Sequence, residues 1–279
     1  MTTPEPSRIV PARAGIAVYE RGAGAPVLLV GGFPDHAIGL LPLAESLAAA
    51  GFRAIVAAYP GYAPSEPLAD DDYSIPTVAD DLMAVMSALG APRFAIVGHG
   101  WGGLYGYRMA SLHPDRVERL ISIAAPHPAG FARRHRLYPE QKTVVYAYLL
   151  AYASNAEELA GDRSWLTSLA QDWSPGLWRA DWTAVLDLVA TPEAAHVTHR
   201  YYRADLEGRG PATGRIATPT TVIYGVQSRC IRPALFTGLD GWFDAPLHQH
   251  AIDDAGHWPH LERPDEVVPL VVAGLRRHR

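Results

Sequence analysis

A glycine occupies the position where the local sequence pattern would place a nucleophile. Residues 94–110, FAIVGHGWGGLYGYRMA, run from an apolar strand pattern through a glycine-rich turn into a helical pattern. In a strand–turn–helix elbow of the form G-x-Nuc-x-G, the sharp turn exposes the side chain of its central residue. That residue is Gly100. Covalent catalysis needs a nucleophilic atom, which glycine lacks, and the flanking His99 and Trp101 are expected to point away from the exposed tip.

Strand and helix patterns alternate around this turn. Nearly continuous apolar runs predict strands at IAVYE (16–20), VLLVGG (27–32), FRAIVAAYPGY, which closes with a Pro-Gly turn, RFAIVGH and RVERLISIAAP. Segments 40–50 and 74–90 have apolar residues at helical spacing, which predicts helices. Gly51 follows the first segment and Gly90 closes the second, as is common at helix ends. Continuous apolar strands alternating with helices are typical of a mostly parallel sheet that helices cover on both faces.

The alternation stops near Gly130 and resumes at TTVIYG (220–225) and HQHAIDDAG (248–256), before a final helix after Pro264. We therefore predict an α/β core formed by residues 1–128 and 215–279, with a helical cap inserted at 129–214. The cap aromatics favour a flat, largely apolar or aromatic ligand; they are Tyr146, Tyr148, Tyr152, Trp165, Trp173, Trp178 and Trp182.

Composition narrows the function classes. The net charge is −5, and arginines cluster only near 133–136 and 276–279, so no nucleic-acid partner is expected. The single cysteine, Cys230, forms no internal disulfide, and no segment resembles a signal peptide or membrane span, which favours the cytoplasm. The histidines lack metal-binding spacing, so neither a metal nor a cofactor is expected. A small molecule, and a second copy of the chain in a homodimer, remain compatible partners.

Five motifs in order resemble the α/β-hydrolase superfamily, in its epoxide-hydrolase and haloalkane-dehalogenase branch. VGHGWGG (97–103) is similar to the family elbow V-G-H-D-W-G-G, and GGFPD (31–35) is similar to its H-G-F-P-E oxyanion loop. AAPHP (124–128) and RYYRADL (200–206) resemble the sequences where the cap begins and ends. AGHWPHLERPDEV (255–267) resembles the segment of the catalytic histidine. The resemblance implies an α/β-hydrolase fold with a cap after the sixth strand.

Two catalytic positions of that family are changed here. Gly100 stands where the family has its aspartate nucleophile, and Ser228 stands at the acid position of its G-x-x-D pattern. A displaced acid partner is conceivable at Asp35, Asp253 or Asp254. Two changes at once favour natural divergence over an engineered knockout.

The remaining site residues follow from the same resemblance. It implies that His257 is the base, and that Tyr202 and Tyr146 are hydroxyl donors of the cap. The backbone N–H groups of Phe33 and Trp101 would form the oxyanion hole, whose placement does not depend on the side chain at position 100. Tyr202 could equally be a packing residue of the cap, whereas packing is the favoured role of Tyr146, because the motif defines its register only to within one residue.

Three functions fit these residues. The first is an acid/base enzyme without a covalent intermediate, for example a cyclase, an isomerase or an enzyme in which the substrate's own nucleophile opens an epoxide. The second is a non-catalytic binding protein for a small molecule. The third is a hydrolase in which His257 activates water directly. The retained histidine favours the first.

Overall fold

The structure is a computed structural model that describes residues 4–130, 142–177, 182–210 and 213–276. Of the residues singled out above, Arg133, Arg134, Arg136, Trp178, Arg277 and Arg279 lie outside the described residues, as does the side chain of Tyr148. None of the helices within the described ranges is both long and apolar enough to cross a bilayer.

The strands of the described residues form one sheet in the order β1-β2-β4-β3-β5-β6-β7-β8. From β4 to β8 all neighbouring strands are parallel, whereas β1 and β2 pair antiparallel at one edge. The strands are β1 Arg8–Pro11, β2 Gly15–Arg21, β3 Ala25–Val30, β4 Phe52–Ala57, β5 Phe94–His99, β6 Val117–Ile123, β7 Thr220–Gly225 and β8 Leu247–Ile252. The mostly parallel sheet is as predicted; β1 is an additional strand.

Helices cover the sheet and fill the segment between β6 and β7. The helices that connect or follow strands are α1 Leu41–Ala49, α2 Ile75–Ala88, α3 Trp101–Leu112, α9 Pro259–Glu262 and α10 Pro264–Arg276. Those between β6 and β7 are α4 Lys142–Tyr152, α5 Ala156–Gly161, α6 Arg163–Trp173, α7 Thr183–Val189 and α8 Pro192–Ala204. We call the second group the cap helices; α8 is amphipathic and buries Tyr201 and Tyr202.

The turn between β5 and α3 is held by close backbone contacts that only glycine permits. A Cβ on Gly98 would lie 2.3 Å from the carbonyl oxygen of Gly102, and one on Gly102 would lie 2.0 Å from that of Val30. The amide of Gly102 donates to the carbonyl of Gly31 at 2.8 Å, which ties the turn to the end of β3. The start of α3 is thereby fixed against the sheet.

The register places the ends of the parallel strands at one edge of the sheet. Val30 pairs with Gly98, and His99 pairs with Ile123, so β3, β5 and β6 end side by side. Gly225 closes the next strand opposite Ile252. Loops at the carboxyl ends of parallel strands are where α/β proteins bind ligands, and the candidate site lies here.

Candidate functional site

Gly100 forms the tip of the turn between β5 and α3. Its φ of 53° and ψ of −115° lie in a region that residues with a Cβ rarely adopt. A Cβ built there would lie 3.7 Å from Nε2 of His257 and 3.4 Å from the Cα of Gly32. There is thus room for a side chain at this tip, and it would face the histidine.

Gly100→Ala is expected to lower the free energy of unfolding by about 1–3 kcal/mol, because alanine at this positive φ is strained although no neighbour obstructs it. Chemical denaturation monitored by circular dichroism measures the loss. Gly241→Ala is the control, since a Cβ there meets nothing within 4 Å and its φ is not positive. Equal stability of the two variants would contradict the strain.

His257 is carried by a loop that buried hydrogen bonds hold in place. A carboxylate oxygen of Glu262 accepts from the amide of Gly256 at 3.0 Å and also from the hydroxyl of Ser174. The same Ser174 hydroxyl accepts from the amide of Trp258 at 3.2 Å. The residues on both sides of His257 are therefore fixed, and its ring packs edge-on against Trp173 with ring centres 5.5 Å apart.

The imidazole of His257 is buried and neutral. Burial lowers its pKa well below the usual value of 6.5, and nearby His99 lowers it further. Among the described residues, no group hydrogen-bonds its Nδ1. A neutral imidazole is a competent proton acceptor, but here nothing fixes its tautomer in the way that a carboxylate partner would.

None of the carboxylates considered from the sequence supports His257. Asp35 is fully buried, but its Oδ2 faces Nδ1 of His99 at 3.6 Å, and its Oδ1 accepts from the amide of His36. Asp253 and Asp254 are exposed, and Asp254 pairs with Arg263 at 3.0 Å. The interpretation of any of the three as the displaced acid is wrong.

Ser228, at the predicted acid position, uses its hydroxyl locally. Its side-chain oxygen accepts from the amide of Ile231 at 3.2 Å, and the side chain is buried. The serine therefore stabilises the loop after β7. Unlike a carboxylate, its hydroxyl carries no negative charge that could stabilise an imidazolium.

Tyr202 and Trp101 border a shared cavity. Burial raises the pKa of Tyr202 well above 10, so the phenol is protonated, and the Trp101 side chain is its hydrogen-bond partner. Their ring centres lie 4.9 Å apart at 80°. The expectation that the Trp101 side chain points away from the site is therefore wrong. The expectation for His99 holds, since its Nε2 bonds the carbonyl of His257 at 2.9 Å.

Tyr146 does not reach this cavity. Its hydroxyl lies 3.5 Å from a carboxylate oxygen of Asp172, and its ring packs against Trp173 with centres 5.5 Å apart. The residue of α4 that lines the cavity is the neighbouring Ala147. One residue along a helix turns the side chain by about 100°, so the structure does not bring Tyr146 together with Tyr202.

The cavity has a volume of about 200 Å³ and mostly apolar walls. It lies between the strand ends and the cap helices. The amide of Trp101 begins α3 and has no acceptor within the helix, as is usual for the first residue of a helix, and Phe33 also lines the cavity. The lining residues are Phe33, Gly100, Trp101, Leu104, Ala124, Ala125, Pro126, Pro128, Ala147, Trp173, Tyr202, Asp205, Leu206, Cys230, Ile231 and His257.

Asp205 is a lining residue that the sequence analysis missed. It follows Tyr202 by three positions at the end of α8, so both side chains lie on the same face. Burial raises its pKa from 3.8 to about 6. The spacing within RYYRADL was the signal that could have identified it.

A second group of polar side chains lies behind His257. Ligand atoms of Asp35, His99 and His260 lie within 4.8 Å of one another, and all three side chains are buried. Because Nε2 of His99 faces a carbonyl, it carries the hydrogen, and the bare Nδ1 faces the Asp35 carboxylate. The lone pairs of these oxygen and nitrogen atoms could bind a shared proton, a water molecule or a metal ion. The three residues come from separate segments of the chain, so no local spacing pattern predicts that they meet.

A family model described as the alpha/beta hydrolase fold matches residues 25–264. The chain belongs to the α/β-hydrolase superfamily. This hydrolase-fold chain is 28% identical to the AB hydrolase superfamily protein YfhM of Bacillus subtilis (strain 168), and the match covers 94% of the chain and 93% of that relative. It is 25% identical to bifunctional epoxide hydrolase 2 of Rattus norvegicus, over 96% of the chain but only 55% of that longer relative.

Solved structures of epoxide hydrolases share the fold of this hydrolase-fold chain. A mutant of an epoxide hydrolase from Bacillus megaterium aligns with a TM-score of 0.84 at 23% identity, covering 97% of this chain and 100% of the other. An epoxide hydrolase from metagenomes of hot environments aligns with a TM-score of 0.81 at 24% identity, covering 99% and 100%. The predicted superfamily and fold are confirmed.

Proposed function

We propose that this protein is an acid/base enzyme that rearranges a small apolar or aromatic molecule without a covalent intermediate. The observation that carries the proposal is the empty tip at Gly100, where a side chain would lie 3.7 Å from Nε2 of His257. Relatives named epoxide hydrolases share the fold, and the resemblance of the elbow motif puts their aspartate nucleophile at this tip. A glycine there removes the covalent step but leaves the cavity and the base.

The proposed reaction uses a nucleophile that belongs to the substrate. A substrate hydroxyl gives its proton to Nε2 of His257 while its oxygen forms a bond to an epoxide carbon. The carbon–oxygen bond of the epoxide breaks, and the released oxygen takes the proton of Tyr202. The imidazolium then returns its proton to the phenolate through solvent, so the product has the mass of the substrate. Orientation inside the cavity supplies most of the acceleration.

Tyr202 is suited to the donor role. Its raised pKa keeps it protonated at neutral pH, and the bond from Trp101 leaves its own hydrogen free for the ligand. A phenol that accepts one hydrogen bond while donating another is a stronger donor, because such chains polarise each other. The backbone N–H groups of Trp101 and Phe33 are proposed to stabilise negative charge on the released oxygen.

Two other functions stay open. A non-catalytic binding protein is favoured by the Nδ1 of His257, which has no hydrogen-bond partner in the part of the chain that the structure describes, since a tuned base would normally have a carboxylate there. A hydrolase in which His257 activates water is the third candidate. Such a hydrolase would convert its substrate with the gain of one water.

The test is mass spectrometry of metabolite extracts and of hydroxy-epoxides incubated with the wild-type protein. We expect one compound to be replaced by a product of identical mass and different retention time. A product heavier by one water would overturn the proposal in favour of hydrolysis. A compound that co-purifies unchanged would overturn it in favour of a binding protein.

A further inference from the structure

The cavity contains a carboxylate that the proposed reaction does not use. Asp205 lines the same walls as Tyr202 and is the only acidic side chain among the lining residues of the described structure. The other titratable groups in the walls are Tyr202, Cys230 and His257. His257 is neutral because burial lowers its pKa, so the lining residues supply no positive charge to balance Asp205.

The basic residues next to Asp205 in the chain are engaged elsewhere. Arg203 pairs with Glu207 at 2.8 Å, and Arg209 pairs with Asp72 at 2.9 Å. Burial is the sole cause of the raised pKa of Asp205, with no hydrogen bond or ion pair opposing it among the described residues. At pH 7 a carboxyl with a pKa of about 6 is about nine-tenths ionised. Among the described residues, no cation or hydrogen-bond donor therefore balances the charge of this half-buried carboxylate.

A carboxylate against mostly apolar walls is poorly solvated, and a ligand that supplies the opposite charge offsets that cost. The cavity that Asp205 lines also has aromatic walls, formed in part by Phe33, Trp101, Trp173 and Tyr202. Aromatic faces attract cations, and a carboxylate beside them completes a site for an ammonium group.

We propose that Asp205 binds a protonated amine of the ligand, so that the substrate class is an aromatic or apolar amine. The inference rests on the proposed function, which places the substrate in this cavity. It adds that the substrate must carry a positive charge, which the fold alone does not imply. Asp205 acts as a specificity-determining residue, and Tyr202 and His257 keep their places beside the ligand.

Three probes of one shape and different charge test the inference: benzylammonium, benzyl alcohol and benzoate. Binding is followed by the change in total tryptophan fluorescence, because Trp101 and Trp173 line the cavity. At pH 7.5 the wild type is expected to bind benzylammonium at least about tenfold more tightly than benzyl alcohol, and benzoate most weakly. Asp205→Asn should bring benzylammonium to the level of the alcohol without changing the affinity for the alcohol. Asp80→Asn, an exposed aspartate of α2, is the matched control and should behave as wild type.

The pH dependence supplies a second readout. The preference for benzylammonium should decline as the pH falls through about 6, because Asp205 becomes protonated, whereas binding of the alcohol should stay level. In the free protein, folding disfavours the ionised form of Asp205, so Asp205→Asn should melt at a higher temperature than wild type at pH 8. That advantage should disappear near pH 4, where the wild-type carboxyl is protonated too.

Equal affinity of the wild type for benzylammonium and benzyl alcohol would overturn the inference, as would failure to bind any probe. A preference that survives in Asp205→Asn would also overturn it, and so would a lower melting temperature of that variant at pH 8. Failure of the proposed function looks different. A protein that binds benzylammonium through Asp205 yet converts no substrate to an isomer keeps the amine site and loses the catalytic assignment.

Discussion

Gly100→Asp is expected to gain the mass of one aryl epoxide when incubated with it, whereas the wild type gains none. The aspartate would attack an epoxide carbon and form an ester while the epoxide oxygen takes a proton from Tyr202. A Cβ at this position lies 3.7 Å from Nε2 of His257 and meets no backbone closer than 3.4 Å, so the side chain fits. Strain at the positive φ costs about 1–3 kcal/mol, which a stable domain tolerates.

The ester should persist long enough for intact-protein mass spectrometry. Its hydrolysis needs a water activated by His257, and Ser228 offers that histidine no carboxylate support. Adding Ser228→Asp to Gly100→Asp is therefore expected to speed the loss of the adduct by about 10²- to 10⁴-fold, the range seen when such partners are removed from other sites. The double variant should release a diol.

Gly100→Asn is the matched control, because it has the size of aspartate without a nucleophilic carboxylate. It should remain unlabelled during a short incubation. If Gly100→Asp folds, as judged by circular dichroism, and is never labelled by an epoxide that binds the cavity, the tip does not have the geometry of a nucleophile position. That result would overturn the proposal that a covalent step has been lost.

His257→Gln is expected to slow the proposed isomerisation by about 10²- to 10⁴-fold, the usual contribution of a general base. Glutamine keeps hydrogen-bonding groups in the cavity but accepts no proton at neutral pH. The measurement is the rate of formation of the product of unchanged mass. His127→Gln is the control, since His127 is also buried with a pKa lowered to about 4 but does not line the cavity. Equal rates of His257→Gln and wild type would exclude His257 as the base.

The pH profile gives the same residue a second test. Because burial holds the pKa of His257 well below 6.5, the base stays unprotonated on mild acidification, and the acid limb of the rate should lie below pH 6.5. The same lowered pKa is expected to make the folded protein less stable on acidification. Below pH 6.5 this histidine is protonated in the unfolded chain but stays neutral in the folded protein. The unfolded state therefore binds more protons, and the free energy of unfolding falls as the pH falls. His257→Gln should reduce that fall.

Periodicity and turn residues predicted most of the fold. The parallel strands read as apolar runs because both faces are buried, and glycines mark the helix ends. β1 was missed because its four residues, RIVP, are too few to show a period and include a proline. That strand is an edge strand, and its place in the sheet depends on pairing with β2, which no local pattern encodes.

The site was predictable where a short motif fixes the backbone, and less so where side chains from distant segments meet. Gly100 and His257 lie together as the elbow and histidine segments imply. Tyr146 was misplaced because a one-residue shift on a helix changes the face. The pKa of Asp205 is raised because tertiary packing partly buries it at the end of the cap helix α8. The contact between Asp35 and His99 likewise depends on how two loops pack.

Ser174 follows the last residue of α6 and belongs to the cap segment. Its hydroxyl nevertheless donates a hydrogen bond to Glu262 and accepts one from the amide of Trp258, next to His257 in the histidine loop. One hydroxyl therefore links the cap side of the cavity, which we call the roof, to the segment that positions the imidazole of His257. Any movement that lifts this end of the roof to exchange ligand breaks those bonds and frees the histidine loop. The proposed base, His257, is aligned only while these bonds are intact, so ligand exchange by this route would interrupt its alignment.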